Sequence, residues 1–189
     1  VFSNADFCLR CVVDGKITDS EVVGAKGTLF AGEAYRAMAI QLREDDQLRI
    51  GWLRKAVNEG DISACSTLGD LLSRSEEQSD LAEAASAYRK AAEQNTEESV
   101  VRYAQHRLAL MLLNGRGVPV DTEAAVDLLY SSADKGASYA LSDLAKFILN
   151  EEFNFGPDDR RAFELYSRAH EMNPKGMMDS ASVALMLLQ

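Results

Sequence analysis

The segment Leu-Ala-Leu-Met-Leu-Leu at 108–113 returns as Val-Ala-Leu-Met-Leu-Leu at 183–188, and Leu-Ala-Lys-Phe-Ile-Leu at 144–149 lies between them with the same spacing of large and small residues. The steps of 36 and 39 residues mark a chain built from one repeated supersecondary unit, which cannot bury its apolar face alone and must stack on its neighbours. Reading backward, Leu68, Gly69 and Leu72 fill the same slots, and Met38, Ala39 and Leu42 fill them again, so five copies of a first helix are expected. A second amphipathic pattern follows the first four copies: Trp52–Val57, Ala87–Ala92, Leu128–Ala133 and Leu165–His170, at separations of 35, 41 and 37 residues. Gly60, Asn95, Gly136 and Asn173 before Pro174 supply helix stops. Asp121 and Asp158 are placed to cap second helices, and Asp80–Glu83 and Thr18–Glu21 have capping-box spacing. With only three prolines and no strand-like alternation, the unit reads as helix, loop, helix, loop.

Small residues explain how such units would pack. Gly69, Ala109, Ala145 and Ala184 each follow a large apolar residue, and Ala56, Ala91, Ala133 and Ala169 lie on the apolar faces of the second helices. Side chains this short let two helix backbones approach while flanking Leu, Met and Ile fill the grooves. The expected frames are 28–60, 61–98, 99–136 and 137–176, with 177–189 the first helix of a truncated fifth copy and 1–27 a degenerate copy or cap. That last helix presents Met178, Val183, Met186 and Leu187 with no second helix to cover them, so the chain is expected to continue past Gln189, or to meet a second copy or a partner there.

Composition narrows the function classes. The longest aliphatic run is 108–113, well short of the ~20 residues that cross a bilayer. Thirty acidic against twenty basic residues leave a net charge of -10, which repels a phosphate backbone and makes nucleic acid a poor partner. Three cysteines and no Asn-x-Ser/Thr acceptor point to a reducing compartment such as the cytoplasm or the mitochondrial matrix.

The run Ala104-x-x-x-Leu108-Ala109-x-x-Leu112-x-Asn114-Gly115-x-Gly117-Val118-x-x-Asp121-x-x-x-Ala125, continuing to Ala133 and Gly136, resembles one complete repeat of the Sel-one-like repeat (SLR) family, relatives of the tetratricopeptide repeats. The unit at 64–95 has the acidic Ser73–Asp80 in place of the Gly-x-Gly-Val loop, and the unit at 140–173 has Phe153, Phe155 and Gly156 there. The resemblance covers about 28–189 and implies an all-α fold, a right-handed α-solenoid of stacked antiparallel hairpins whose first helices line a concave face. It implies a function as adaptor or scaffold for other proteins. On that face the positions just off the core phase would be Arg36, Ile40, Ser66, Asp70, Tyr103, His106, Leu110, Tyr139, Ser142 and Lys146. Tyr103 and Tyr139, 36 residues apart, would stack in neighbouring repeats and suit a peptide or a helix.

Chemical motifs are sparse. Cys8-Leu-Arg-Cys11 lacks a second ligand pair, since Cys65, His106 and His170 fall on separate repeats, so no metal is expected. Neither histidine accompanies a recognisable nucleophile, and no cofactor motif occurs. Gly115-Arg-Gly117 lacks the third glycine and the preceding strand of a phosphate loop and reads as an interhelix turn. The stretch 75–99 holds seven carboxylates against Arg89 and Lys90, a solvated face or a docking patch for a basic segment. Phe153 and Phe155 read either as a plug under the fourth hairpin or as a partner anchor.

These features favour a non-catalytic protein-binding scaffold or adaptor, a subunit of a larger assembly. Two alternatives compete with it. One is a hydrolase resembling the cysteine-rich bacterial members of the family, for which β-lactam binding has been proposed, although their paired cysteines are absent here. The other is a helical-repeat reader of RNA, which the acidic balance opposes.

Overall fold

The computed structural model describes residues 31–42, 46–94, 98–149 and 159–173. Within them all regular secondary structure is α-helix: α1 (Ala31–Gln41), α2 (Asp46–Asn58), α3 (Ile62–Leu72), α4 (Gln78–Ala92), α5 (Glu98–Asn114), α6 (Thr122–Asp134), α7 (Ser138–Leu149) and α8 (Asp159–Met172). The expectations for 1–27 and 177–189, for Cys8 and Cys11, for Phe153 and Phe155, and for the signals at Asn95 and Asp158 lie outside the described residues. Among the described residues no helix is long and apolar enough to cross a membrane.

The chain forms two compact units, Val1–Ala87 and Tyr88–Gln189, whose boundary falls inside α4. In the first, α1 packs on α2 and α2 on α3. In the second, α5 packs on α6, α6 on α7 and α7 on α8. The repeating slots lie in these cores. Met38 and Ala39, Leu68 and Gly69, Leu108 and Ala109, and Leu144 and Ala145 are all buried. Ala56, Ala91, Ala133 and Ala169 are also buried, the positions where a longer side chain would hold neighbouring helices apart.

The buried alanines also correct one register. They stand 35, 42 and 36 residues apart, so the third second-helix segment starts at Leu129, not Leu128. Leu129 is fully buried while Leu128 is only half-buried. The slip arises because Leu128 and Leu129 are identical side chains and hydropathy alone does not choose between them.

Helix ends follow local chemistry. The Asp61 side chain accepts from the Ala64 N–H at 2.9 Å and the Asp121 side chain from the Ala124 N–H at 3.0 Å, each satisfying a donor that has no partner within its helix. The capping box expected at Asp80–Glu83 does not start α4. That helix begins two residues earlier, at Gln78, and the Glu77 carbonyl accepts its first bond, from the Leu81 N–H at 3.1 Å. Asp80 therefore sits within the first turn, where a carboxylate complements the helix dipole. Glu83 is turned to Arg54 of α2, which it holds with two hydrogen bonds of 2.8 and 2.6 Å.

After α5, Gly115 has φ +64° and lets the Arg116 N–H bond back to the Met111 carbonyl at 3.0 Å, a left-handed stop that costs a side-chain-bearing residue energy. The Asp121 N–H returns to the Leu112 carbonyl at 3.2 Å. Both amides are spent on closing the helix, and the positive φ of Gly115 and Gly117 serves the turn that follows it.

Candidate functional site

Four residues from the first helices of consecutive repeats meet in the second unit. His106 of α5 reaches Asp143 of α7, with Nε2 2.7 Å from Oδ2. The other carboxylate oxygen, Oδ1, accepts from Lys146 Nζ at 2.9 Å, one helical turn further along. The Tyr139 ring stands edge-on to the imidazole, 4.6 Å between centroids and 74° between planes. Helical spacing places Tyr139, Asp143 and Lys146 on one face of α7.

Burial sets the electrostatics. It disfavours the charged form of Asp143, but the hydrogen bonds and charges of His106 and Lys146 outweigh it and hold the carboxyl below its ordinary range. An ionised carboxylate can only accept, so Nε2 of His106 carries the proton and donates. Nδ1 of His106 is buried without a hydrogen-bond partner, as is Oε1 of Gln105. Burial raises the Tyr139 phenol above its usual value, opposed by the nearby positive charge of Arg102. Tyr166 of α8 is likewise raised by burial, with Lys146 opposing and Asp143 adding to the rise.

Arg102 frames the cluster from α5. Its Nη1 donates to the Lys135 carbonyl at 3.0 Å, at the C-terminal end of α6 where carbonyls lack helical partners. Gly136, at φ +90°, completes this junction, and a Cβ there would lie 3.1 Å from Arg102 Nη1. Ser132, fully buried, donates from Oγ to the Arg102 carbonyl at 2.7 Å. The helix bearing His106 is thereby tied to the one that precedes α7.

Of the positions expected on the binding face, His106, Tyr139 and Lys146 are brought together. Tyr103 and Leu110 are half-buried on α5, and Ser142 is buried on α7. In the first unit, Ile40 is exposed, Asp70 half-buried and Ser66 buried. Arg36 there is engaged by Asp61 at 2.8 Å. Sequence reasoning missed Asp143 and Arg102. Asp143 could have been found by its placement: 37 residues after His106, about one repeat on, and three before Lys146. The single cysteine among the described residues, Cys65, is buried, and its thiol lies 3.6 Å from the Asp61 carbonyl oxygen, which accepts from it. Among the described residues, no group of three His, Cys, Asp or Glu could hold a metal ion.

The paired Asp143 has a consequence for acid stability. Its folded pKa lies below the unfolded value of about 4, so its contribution is fully present above that value and is lost as pH falls through the folded one. Asp143→Asn is therefore expected to flatten the pH dependence of urea stability below about pH 4. Equal slopes for the variant and the wild-type chain would show that the carboxylate is not held this way.

Comparison with known proteins places these elements in a wider set. The model of a family described as Sel1 repeat matches three segments, residues 64–96, 102–136 and 138–174. A protective antigen of uropathogenic Escherichia coli strains, displaying an SLR fold, is similar to 97% of this chain at 23% identity and a TM-score of 0.62. The chain spans 44% of that protein's length. A Sel1 repeat protein from Oxalobacter formigenes is similar over 95% of this chain and 83% of its own, at 18% identity and a TM-score of 0.61. No curated protein matches the chain by sequence.

Proposed function

We propose that this chain, which belongs to the Sel1 repeat family, is a non-catalytic adaptor or structural subunit that holds a peptide or helix of another protein on the face carrying Tyr139, His106 and Lys146. Sel1 repeat proteins are generally scaffolds for protein–protein interaction. The observation that carries the finer reading is the joining of first helices from consecutive repeats by one polar and aromatic cluster that keeps an exposed side. Tyr139 remains 37% exposed although its ring packs on His106, so it offers partner-facing area at little entropic cost. The His106–Asp143 pair orients an imidazole, as a general base requires, but the proton on Nε2 points at the carboxylate and Nδ1 is buried, which leaves neither nitrogen presented to a substrate.

The test is affinity purification of the full-length protein from its native source, followed by mass spectrometry, in parallel with a Tyr103→Ala/Tyr139→Ala variant. The expected result is one stoichiometric partner that the variant loses while its helical circular dichroism is unchanged. Equal recovery in both would move the binding surface elsewhere, and the absence of any partner would sink the scaffold reading.

A further inference from the structure

The chain contains one Asn-Gly pair, Asn114-Gly115, and the fold holds it at the C-terminal end of α5. In such a pair the asparagine amide is open to attack by the backbone nitrogen that follows it, because glycine has no Cβ to shield that nitrogen. Glycine is required at 115 on structural grounds. Its φ is +64°, and a Cβ there would lie 3.0 Å from Val120 Cγ2. The turn that closes α5 therefore keeps the nitrogen beside Asn114 unshielded, and Asn114 itself is exposed to water and hydroxide.

The same turn restrains the reaction. Asn114 Nδ2 donates to the Leu110 carbonyl at 2.7 Å, one helical turn back. Helical side chains lean toward the N-terminus of their helix, and this bond fixes Asn114 in that direction. The Gly115 nitrogen lies on the opposite side, C-terminal to the Asn114 Cα. A five-membered ring can close only after the side chain has left Leu110 and the last turn has opened. The bond from the Arg116 N–H to the Met111 carbonyl, at 3.0 Å, opposes that opening.

We propose that Asn114 is a site of spontaneous deamidation whose rate is set by opening of the C-terminal turn of α5. Hydroxide takes the proton of the Gly115 amide, the nitrogen bonds to Asn114 Cγ, and the bond from Cγ to Nδ2 breaks, with Nδ2 leaving as ammonia after protonation by water. A second water opens the resulting succinimide at one of its two carbonyls, which leaves aspartate or isoaspartate at 114. Either product weakens the turn. A carboxylate accepts and does not donate, so the bond to Leu110 is lost, and its charge stands at the helix end where unpaired carbonyls already concentrate negative partial charge. Isoaspartate also inserts one main-chain carbon ahead of Gly115 and shifts the Arg116 N–H away from Met111. The helix affected carries Arg102 and His106, but the inference does not depend on the adaptor reading.

The experiment incubates the full chain at mildly alkaline pH, with and without denaturing guanidinium chloride, and follows the peptide containing residue 114 by mass spectrometry for the exchange of NH2 by OH. Asn114→Gln keeps an amide at this position but would have to close a larger ring, and Asn114→Asp stands for one product. Conversion at 114 is expected in the native chain at least about tenfold more slowly than in denaturant, and not at that position in Asn114→Gln over the same period. Asn114→Asp is expected to lower the thermal midpoint by about 2 °C. Equal rates in the native and denatured chain would overturn the control by the turn. Failure of the denatured chain to convert at 114, or a native chain still unconverted after about a hundred times the denatured half-time, would overturn the site. An unchanged midpoint for Asn114→Asp would overturn the weakening assigned to the product.

Discussion

Leu129→Ala should cost the protein about 2–5 kcal/mol and lower the thermal midpoint on the order of 10 °C. Leu129 is fully buried in α6, and truncation removes its transfer free energy and leaves a cavity among close-packed helices. Its neighbour Leu128 is half-buried, so Leu128→Ala should cost a fraction of that. Leu129→Met conserves volume and should stay under about 1.5 kcal/mol. Urea denaturation of the three variants checks this directly. The contrast between adjacent leucines is the informative part, because equal losses at both would return the helix register to the one that hydropathy alone allows.

Asp61→Ala is the second large effect, expected at about 2–3 kcal/mol by the same measurement. One carboxylate does two jobs here. Oδ1 caps α3 through the Ala64 N–H at 2.9 Å, and Oδ2 holds Arg36 of α1 at 2.8 Å. Capping alone accounts for about 1 kcal/mol. The remainder comes from the loss of a charged partner whose own side chain is only 6% exposed, which makes the pair stronger than a surface ion pair. Close packing reinforces the arrangement, since a Cβ added at Gly32 of α1 would lie 2.9 Å from the Asp61 Cβ. Asp61→Asn should recover the cap and part of the Arg36 contact. A loss no larger for Asp61→Ala than for Asp61→Asn would mean that the cap contributes nothing.

Much of the fold was legible because it depends on short-range patterning. The large-small pairs Leu108-Ala109 and Leu144-Ala145 repeat at one interval, and both members of each pair are buried. The stops at Gly60 and Gly136 and the cap at Asp121 rest on local backbone geometry that a few residue types favour, whereas the cap at Asp61 was missed. Boundaries were less secure. At α4, an acidic residue serves equally well as cap or as first-turn charge, and Asp80 turned out to be the second.

The site was legible in part. Periodicity brought out Tyr139, His106 and Lys146, but it did not bring out Asp143, whose role depends on a side chain that arrives from the preceding repeat. Arg102 escaped notice for the same reason, because the carbonyl it holds, at Lys135, is a backbone group with no signature in the sequence.

By itself the sequence determined the helical class, the repeat interval, the positions of the small packing residues and the acidic character of the chain, because each of these follows from the residue type and its immediate neighbours along the chain. Tertiary structure alone decided that His106 and Asp143, 37 residues apart, lie within 2.7 Å, that Arg36 belongs to Asp61, and that Leu129 faces the core while Leu128 is only half-buried. Those outcomes depend on how helices rotate and seat against one another. That rotation is set by the summed packing of many side chains and is not encoded at any one position.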